Sequence, residues 1–126
     1  MKTIINTTNA PAPIGPYSQA VIANGFLFAS GQVAINPENG ELDLTSVTAE
    51  THQVMRNIKA VLIEADYDFS HIIKTTIFLS DMALFAEVNE VYGSYFDSAF
   101  PARETVAVKG LPKGVNVEIS VTAYKA

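Results

Sequence analysis

The chain contains no cysteine, which removes disulfides, thiolate nucleophiles and zinc-thiolate centres from consideration. Lysine and arginine are scarce too, 8 against 13 aspartates and glutamates, for a formal net charge of −5. No nucleic-acid partner is expected, because binding along a phosphate backbone draws on clustered cations. Long apolar runs are also missing: Ile4-Ile5 passes at once into Asn6-Thr7-Thr8-Asn9, with Pro11 and Pro13 close behind. A secretory leader needs an unbroken apolar stretch there, and no later window nears the roughly 20 apolar residues that span a bilayer. A cytoplasmic protein with no membrane partner is the expectation. Repeats, low-complexity tracts and linkers are absent as well, so the 126 residues are read as one domain over 1–126, burying about two-thirds of the surface its unfolded chain would expose.

What is present divides by period. Residues 20–33 form two β-branched and aromatic runs joined at Asn24-Gly25, a pair that tolerates positive φ at both central positions of a type I′ turn, and they predict a β-hairpin. After a turn over residues 36–40, Ser46 or Thr48 caps a helix with Glu50 in its first turn. Val54, Ile58, Val61, Leu62 and Ala65 then repeat at helical spacing, and the helix is expected to end near Asp66. Residues 71–79 return to strand character, with Ile73, Thr75, Ile77 and Leu79 on one side, Ile72, Lys74, Thr76 and Phe78 on the other, and both faces covered. Ser80 or Asp81 caps a second helix whose apolar stripe is Phe85, Val88, Tyr92, Tyr95 and Phe96, with Asn89 inside it. Strand-like runs at 105–108 and 115–124 finish the chain. The expected fold class is α+β, a single mixed β-sheet with two helices packed on one face.

In the last run, Val115, Val117, Ile119, Val121 and Ala123 make one apolar row, expected to meet the helices. Asn116, Glu118, Ser120, Thr122 and Tyr124 oppose it, a composition that suits either water or a subunit interface. Arg103, following Phe100-Pro101-Ala102, offers a planar donor fork that matches a small carboxylate. Glu118 is a carboxylate suited to managing protons or water. An exposed ion pair explains such an arginine equally well at this level, and a glutamate on a polar strand face is commonly just solvated. His52 and His71 have neither metal-ligand spacing nor a nucleophile arrangement around them, and no metal is expected.

Several ordered motifs narrow the choice. Gly15-Pro16-Tyr17-Ser18-Gln19-Ala20, Ala29-Ser30-Gly31-Gln32, Asp81-Met82 with Phe85, Asn89 and Tyr92 at fixed offsets, Pro101-Ala102-Arg103, Leu111-Pro112 and Val117-Glu118-Ile119 together resemble the Rid/YjgF family from about Ile14 to Ala123. The resemblance implies a chorismate-mutase-like topology and a homotrimer with a cleft between neighbouring subunits. It implies hydrolysis of enamines and imines of the 2-aminoacrylate type, released by pyridoxal-phosphate enzymes, to 2-keto acids and ammonia, with no cofactor. By motif match Arg103 grips the substrate carboxylate, each charge-assisted hydrogen bond being worth about 1.5–3 kcal/mol, and Glu118 orients or activates the water. Tyr17, Ser30, Gly31 and Asn89 line the cleft, and Thr105 contributes through its backbone or hydroxyl.

Two departures from the family pattern stand out. Thr105 occupies a place where many bacterial relatives carry cysteine, so thiol-dependent behaviour is excluded, and Glu104 replaces a small residue. Strand alternation points Glu104 away from Arg103. Two alternatives to the hydrolase accompany the resemblance: a non-catalytic module that binds keto or amino acids, and a chaperone or endoribonuclease-like protein, the latter disfavoured by the acidic balance.

Overall fold

The computed structural model describes residues 1–126. Eight main elements succeed one another: β1 (Thr3–Ile5), β2 (Ala20–Ala23), β3 (Phe26–Ala29), α1 (Val47–Glu64), β4 (Ile72–Leu79), α2 (Phe85–Gly93), β5 (Ala102–Ala107) and β6 (Val117–Tyr124). All six strands join one sheet in the order β1-β2-β3-β6-β4-β5. Every neighbouring pair is antiparallel except β4 and β5, whose parallel pairing stems from the crossover that α2 provides. The mixed sheet and its two helices agree with the architecture expected from the sequence.

The hairpin forms where Asn24 and Gly25 adopt φ of 52° and 83°, as a type I′ turn requires. Its second strand stops at Ala29 rather than continuing to Val33. Phe28 pairs with Thr122 but Gln32 pairs with Ile119, so four residues on one side oppose three on the other, the signature of a bulge. That extra residue re-aims Ser30 and Gly31. β1 escapes sequence reasoning because its three residues are too few to show a period.

Ser46 caps α1, its hydroxyl accepting from the Ala49 amide at 3.0 Å, and the helix yields at Ala65 to Asp66, which has φ 63°. Val54, Ile58, Val61 and Leu62 are buried, as their spacing predicts. In β4 the register slips between Ile72 and Lys74, which buries Ile72 and leaves Ile73 exposed, the reverse of the sides expected from strict alternation. Coverage of that strand is uneven for the same reason. Asp81 caps a short 3-10 turn, Met82–Leu84, before α2. Since α2 ends at Gly93, Tyr95 and Phe96 lie beyond the helix and reach the core from the next segment.

Both helices cover the same face. Val115, Val117, Ile119, Val121 and Ala123 are buried against them, joining the core expected from the apolar row. The other face keeps Phe26, Phe28, Val106 and Tyr124 exposed, beside a Lys74–Glu104 ion pair at 3.6 Å that confirms Glu104 points away from Arg103. No helix is long and apolar enough to cross a membrane.

A buried carboxylate ties the helix layer to the sheet. Glu50, fully buried in the first turn of α1, accepts the backbone amides of Asn116 and Val117 at 2.8 and 3.1 Å and the Asn116 side-chain amide at 2.8 Å. Those donors open the strand that carries Glu118.

Candidate functional site

Arg103 takes its place from the β4–β5 register, which sets it beside Thr75 on the helix-facing side of the sheet. Across from it, Phe85, Asn89 and Tyr92 occupy successive turns on one face of α2. The guanidinium carbon lies 5.5 Å from the Phe85 ring centre and 5.4 Å from that of Tyr92, within cation–π range. Nη1 of Arg103 donates to Oδ1 of Asn89. The Tyr92 hydroxyl donates to Thr75 Oγ1 at 2.9 Å, and burial pushes that phenol above its ordinary pKa. Asn89, Tyr92, Gly93, Phe100, Pro101 and Arg103 line a cavity of about 410 Å³.

Glu118 lies on the opposite face, because β6 pairs it with Phe78 while its neighbours Val117 and Ile119 point to the core. It lines a second cavity of about 410 Å³, together with Tyr17, Ser30 and Gly31 and the apolar walls Ile14, Val33, Ile35 and Pro112. Buried amides build those walls. Gln19 accepts from the Thr7 amide at 2.7 Å and donates to the carbonyls of Thr7, Ala10 and Pro11, while Asn57 donates to those of Val33 and Ile35. The Ser30 hydroxyl donates to the Ser18 carbonyl at 2.6 Å, so it fixes the loop while lining the cavity.

Gly31 has a steric duty here. The Glu118 carboxylate rests directly over its Cα, and a Cβ at that position would overlap it. Half-buried among apolar walls, Glu118 has its carboxyl pushed above the ordinary carboxylate range by desolvation.

A family model described as endoribonuclease L-PSP matches residues 7–125. The chain is 50% identical over 125 residues to a RutC family protein of Pyrococcus horikoshii, covering 99% of each. It is 43% identical over 125 residues to the 2-iminobutanoate/2-iminopropanoate deaminase of Mus musculus, covering 99% of this chain and 93% of that one. The chain belongs to the Rid family. Among solved Rid-type folds, the crystal structure of Escherichia coli TdcF with bound serine superposes with a TM-score of 0.94 at 38% identity, over 98% of this chain and 99% of that one.

Within one Rid chain the residues expected from sequence fall into two groups. Tyr17, Ser30 and Gly31 gather around Glu118, whereas Asn89 joins Arg103. Arg103 and Glu118 do not meet within the chain: they sit on opposite faces of the sheet, in separate cavities. Thr105 lines neither cavity, and its buried hydroxyl has no hydrogen-bond partner within the chain. Sequence reasoning missed Phe85 and Tyr92 as neighbours of the guanidinium, although their spacing around Asn89 was the available signal. The buried partners of Gln19, Glu50 and Asn57 gave no signal, since they are distant in sequence. His52 bonds the Tyr95 hydroxyl and His71 the Asp68 amide, both local roles.

Proposed function

We propose that this chain hydrolyses 2-imino and 2-enamino acids of the 2-aminoacrylate type to 2-keto acids and ammonia, as a cytoplasmic homotrimer whose sites lie between subunits. The observation that carries the proposal is the split of chemical equipment between two cavities. One holds a guanidinium with no carboxylate or imidazole among its lining residues, and the other holds a half-buried carboxylate with its pKa raised by desolvation. Each is half of a site. Apposed across a subunit boundary, Arg103 of one copy and Glu118 of the next form a carboxylate grip facing a proton-transfer group. The exposed Phe26, Phe28, Val106 and Tyr124 on the uncovered sheet face offer the apolar surface such packing would bury.

The chemistry asks little of the protein. An enamine tautomerises to an imine, whose carbon is already electrophilic. Arg103 holds the acid end, and Glu118 takes a proton from a water as the water oxygen bonds the imine carbon. That proton passes to nitrogen to give a carbinolamine; Glu118 then moves the hydroxyl proton to the same nitrogen, the carbon–nitrogen bond breaks, and ammonia leaves as the carbonyl forms. A carboxyl raised toward neutral pH suits both halves of that shuttle, and holding the partners together supplies the rest. Neither a metal nor an organic cofactor is required. The 2-iminobutanoate/2-iminopropanoate deaminase relative supports this chemistry.

The experiment is a coupled assay in which a serine or threonine dehydratase generates the substrate in place. Arg103→Ala is expected to lose at least about 100-fold in kcat/KM, the size of a lost bidentate charge-assisted contact. Unchanged turnover in that variant would overturn the proposal. The serine-bound relative favours one competing reading, a ligand-binding module, whose mark would be tight keto-acid or amino-acid binding with hydrolysis at the background rate.

A further inference from the structure

We infer that Phe85 and Tyr92 are positioning residues that hold the Arg103 guanidinium in one plane, and that the gap between their rings makes the site select flat carboxylates over tetrahedral oxyanions. The inference rests on the reading of Arg103 as the carboxylate grip, and it adds what fixes the grip and what it excludes.

The two rings are seven residues apart, about 10.5 Å along a helix axis at 1.5 Å per residue. The guanidinium carbon is 5.5 and 5.4 Å from their centres, so it is about equally far from both, and Asn89 stands between them on the same helix face. Asn89 engages Nη1. No group of the chain accepts a hydrogen bond from Nε or Nη2, which leaves the edge they form as the one open to a ligand. A free arginine side chain samples many rotamers, and here two aromatic rings and one side-chain amide engage it.

The bracket is itself anchored. Thr75 is fully buried and is the register partner of Arg103 on the adjacent strand. By receiving the Tyr92 hydroxyl at 2.9 Å it closes a ring of contacts from β4 through α2 to β5. A carboxylate approaching the open edge lies in the guanidinium plane, between the rings. A phosphonate or sulfonate places oxygens above and below that plane, where rings bracketing the guanidinium would meet them.

The test measures binding of 2-oxobutanoate and of its phosphonate analogue to the full-length protein by calorimetry, alongside steady-state kinetics. Phe85→Leu is expected to weaken 2-oxobutanoate about threefold to fivefold, the scale of a cation–π contact at a partly exposed ring, while its preference for carboxylate over phosphonate shrinks. Phe85→Tyr should restore both. Tyr92→Phe, which keeps the ring and loses the anchor, should raise KM more than it lowers kcat. Wild-type affinities and selectivity in Phe85→Leu, or a Phe85→Tyr variant no better than Leu, would overturn the inference. Arg103→Ala serves as the control: undiminished 2-oxobutanoate binding there removes the grip and the bracket together. Ring-dependent binding without measurable hydrolysis would instead uphold the bracket and defeat the hydrolase.

Discussion

Gly31 and Glu118 are packed as a pair, the glycine leaving room for the carboxylate. Because the carboxylate lies over the bare Cα of Gly31, Gly31→Ala is expected to push it off its seat and lower kcat/KM by about tenfold or more, with little change in melting temperature. A variant with wild-type turnover would show that the seat is unimportant. Glu118 also predicts a pH signature. Its carboxyl titrates higher in the folded chain than in the unfolded one, so the folded state holds the proton more tightly. Its contribution to stability is therefore greatest below the unfolded value and falls as pH rises through the folded one. Replacing it by Gln should raise the melting temperature relative to wild type more at about pH 8 than at about pH 4; equal differences would contradict the desolvation account. In activity, the wild-type rate should rise with pH through the elevated carboxyl, and Glu118→Gln should lose the activity itself. The sequence singles out both residues because they stand in the ordered motifs that carry the family resemblance. Phe85 and Tyr92 were read only as an apolar stripe, since an aromatic at helical spacing looks the same whether it faces a core or a guanidinium.

Among the elements, α1 has a second task beyond covering the sheet. Glu50 binds three donors at the entry to β6, so the helix fixes the strand that presents Glu118. Glu50→Ala would leave two buried backbone amides unpaired, and each such loss costs about 1–3 kcal/mol. We expect a destabilisation of about 2–4 kcal/mol by chemical denaturation, with Glu50→Gln much milder because an amide oxygen still accepts. A change below about 0.5 kcal/mol in the alanine variant would mean that water replaces the carboxylate. From sequence Glu50 reads as a first-turn acid favouring the helix dipole, which is correct as far as it goes. Its distant partner is invisible there. The bulge in β4 escaped for a similar reason: alternation alone gives Ile72 and Ile73 opposite sides, but which of them faces the core is settled by pairing with β6.

For the whole molecule, the separation of Arg103 from Glu118 leads to a complementation experiment. Arg103→Ala and Glu118→Gln chains are each expected to be inactive. Mixed in equal amounts and reassembled, random threefold rings would regain about one quarter of wild-type activity, because every mixed ring contains one boundary where an intact arginine meets an intact glutamate. No recovery despite confirmed subunit exchange would defeat the site shared between subunits. The unpartnered Thr105 hydroxyl belongs to this scale too, since a buried hydroxyl without an acceptor is uncommon and it lies on β5, the edge strand of the sheet.

Local chemistry in the sequence was enough to set the helices, the hairpin turn at Asn24-Gly25, the buried row of β6 and the set of residues worth testing, because periodicity, caps and turn preferences act over a few neighbours. Only the tertiary structure decided which of those residues keep company. Strand order and register put Thr75 beside Arg103, the bulge after β3 turned Gly31 under Glu118, and the sheet itself stands between the guanidinium and the carboxylate. Such placements depend on pairings between residues far apart in the chain, and no local preference encodes them.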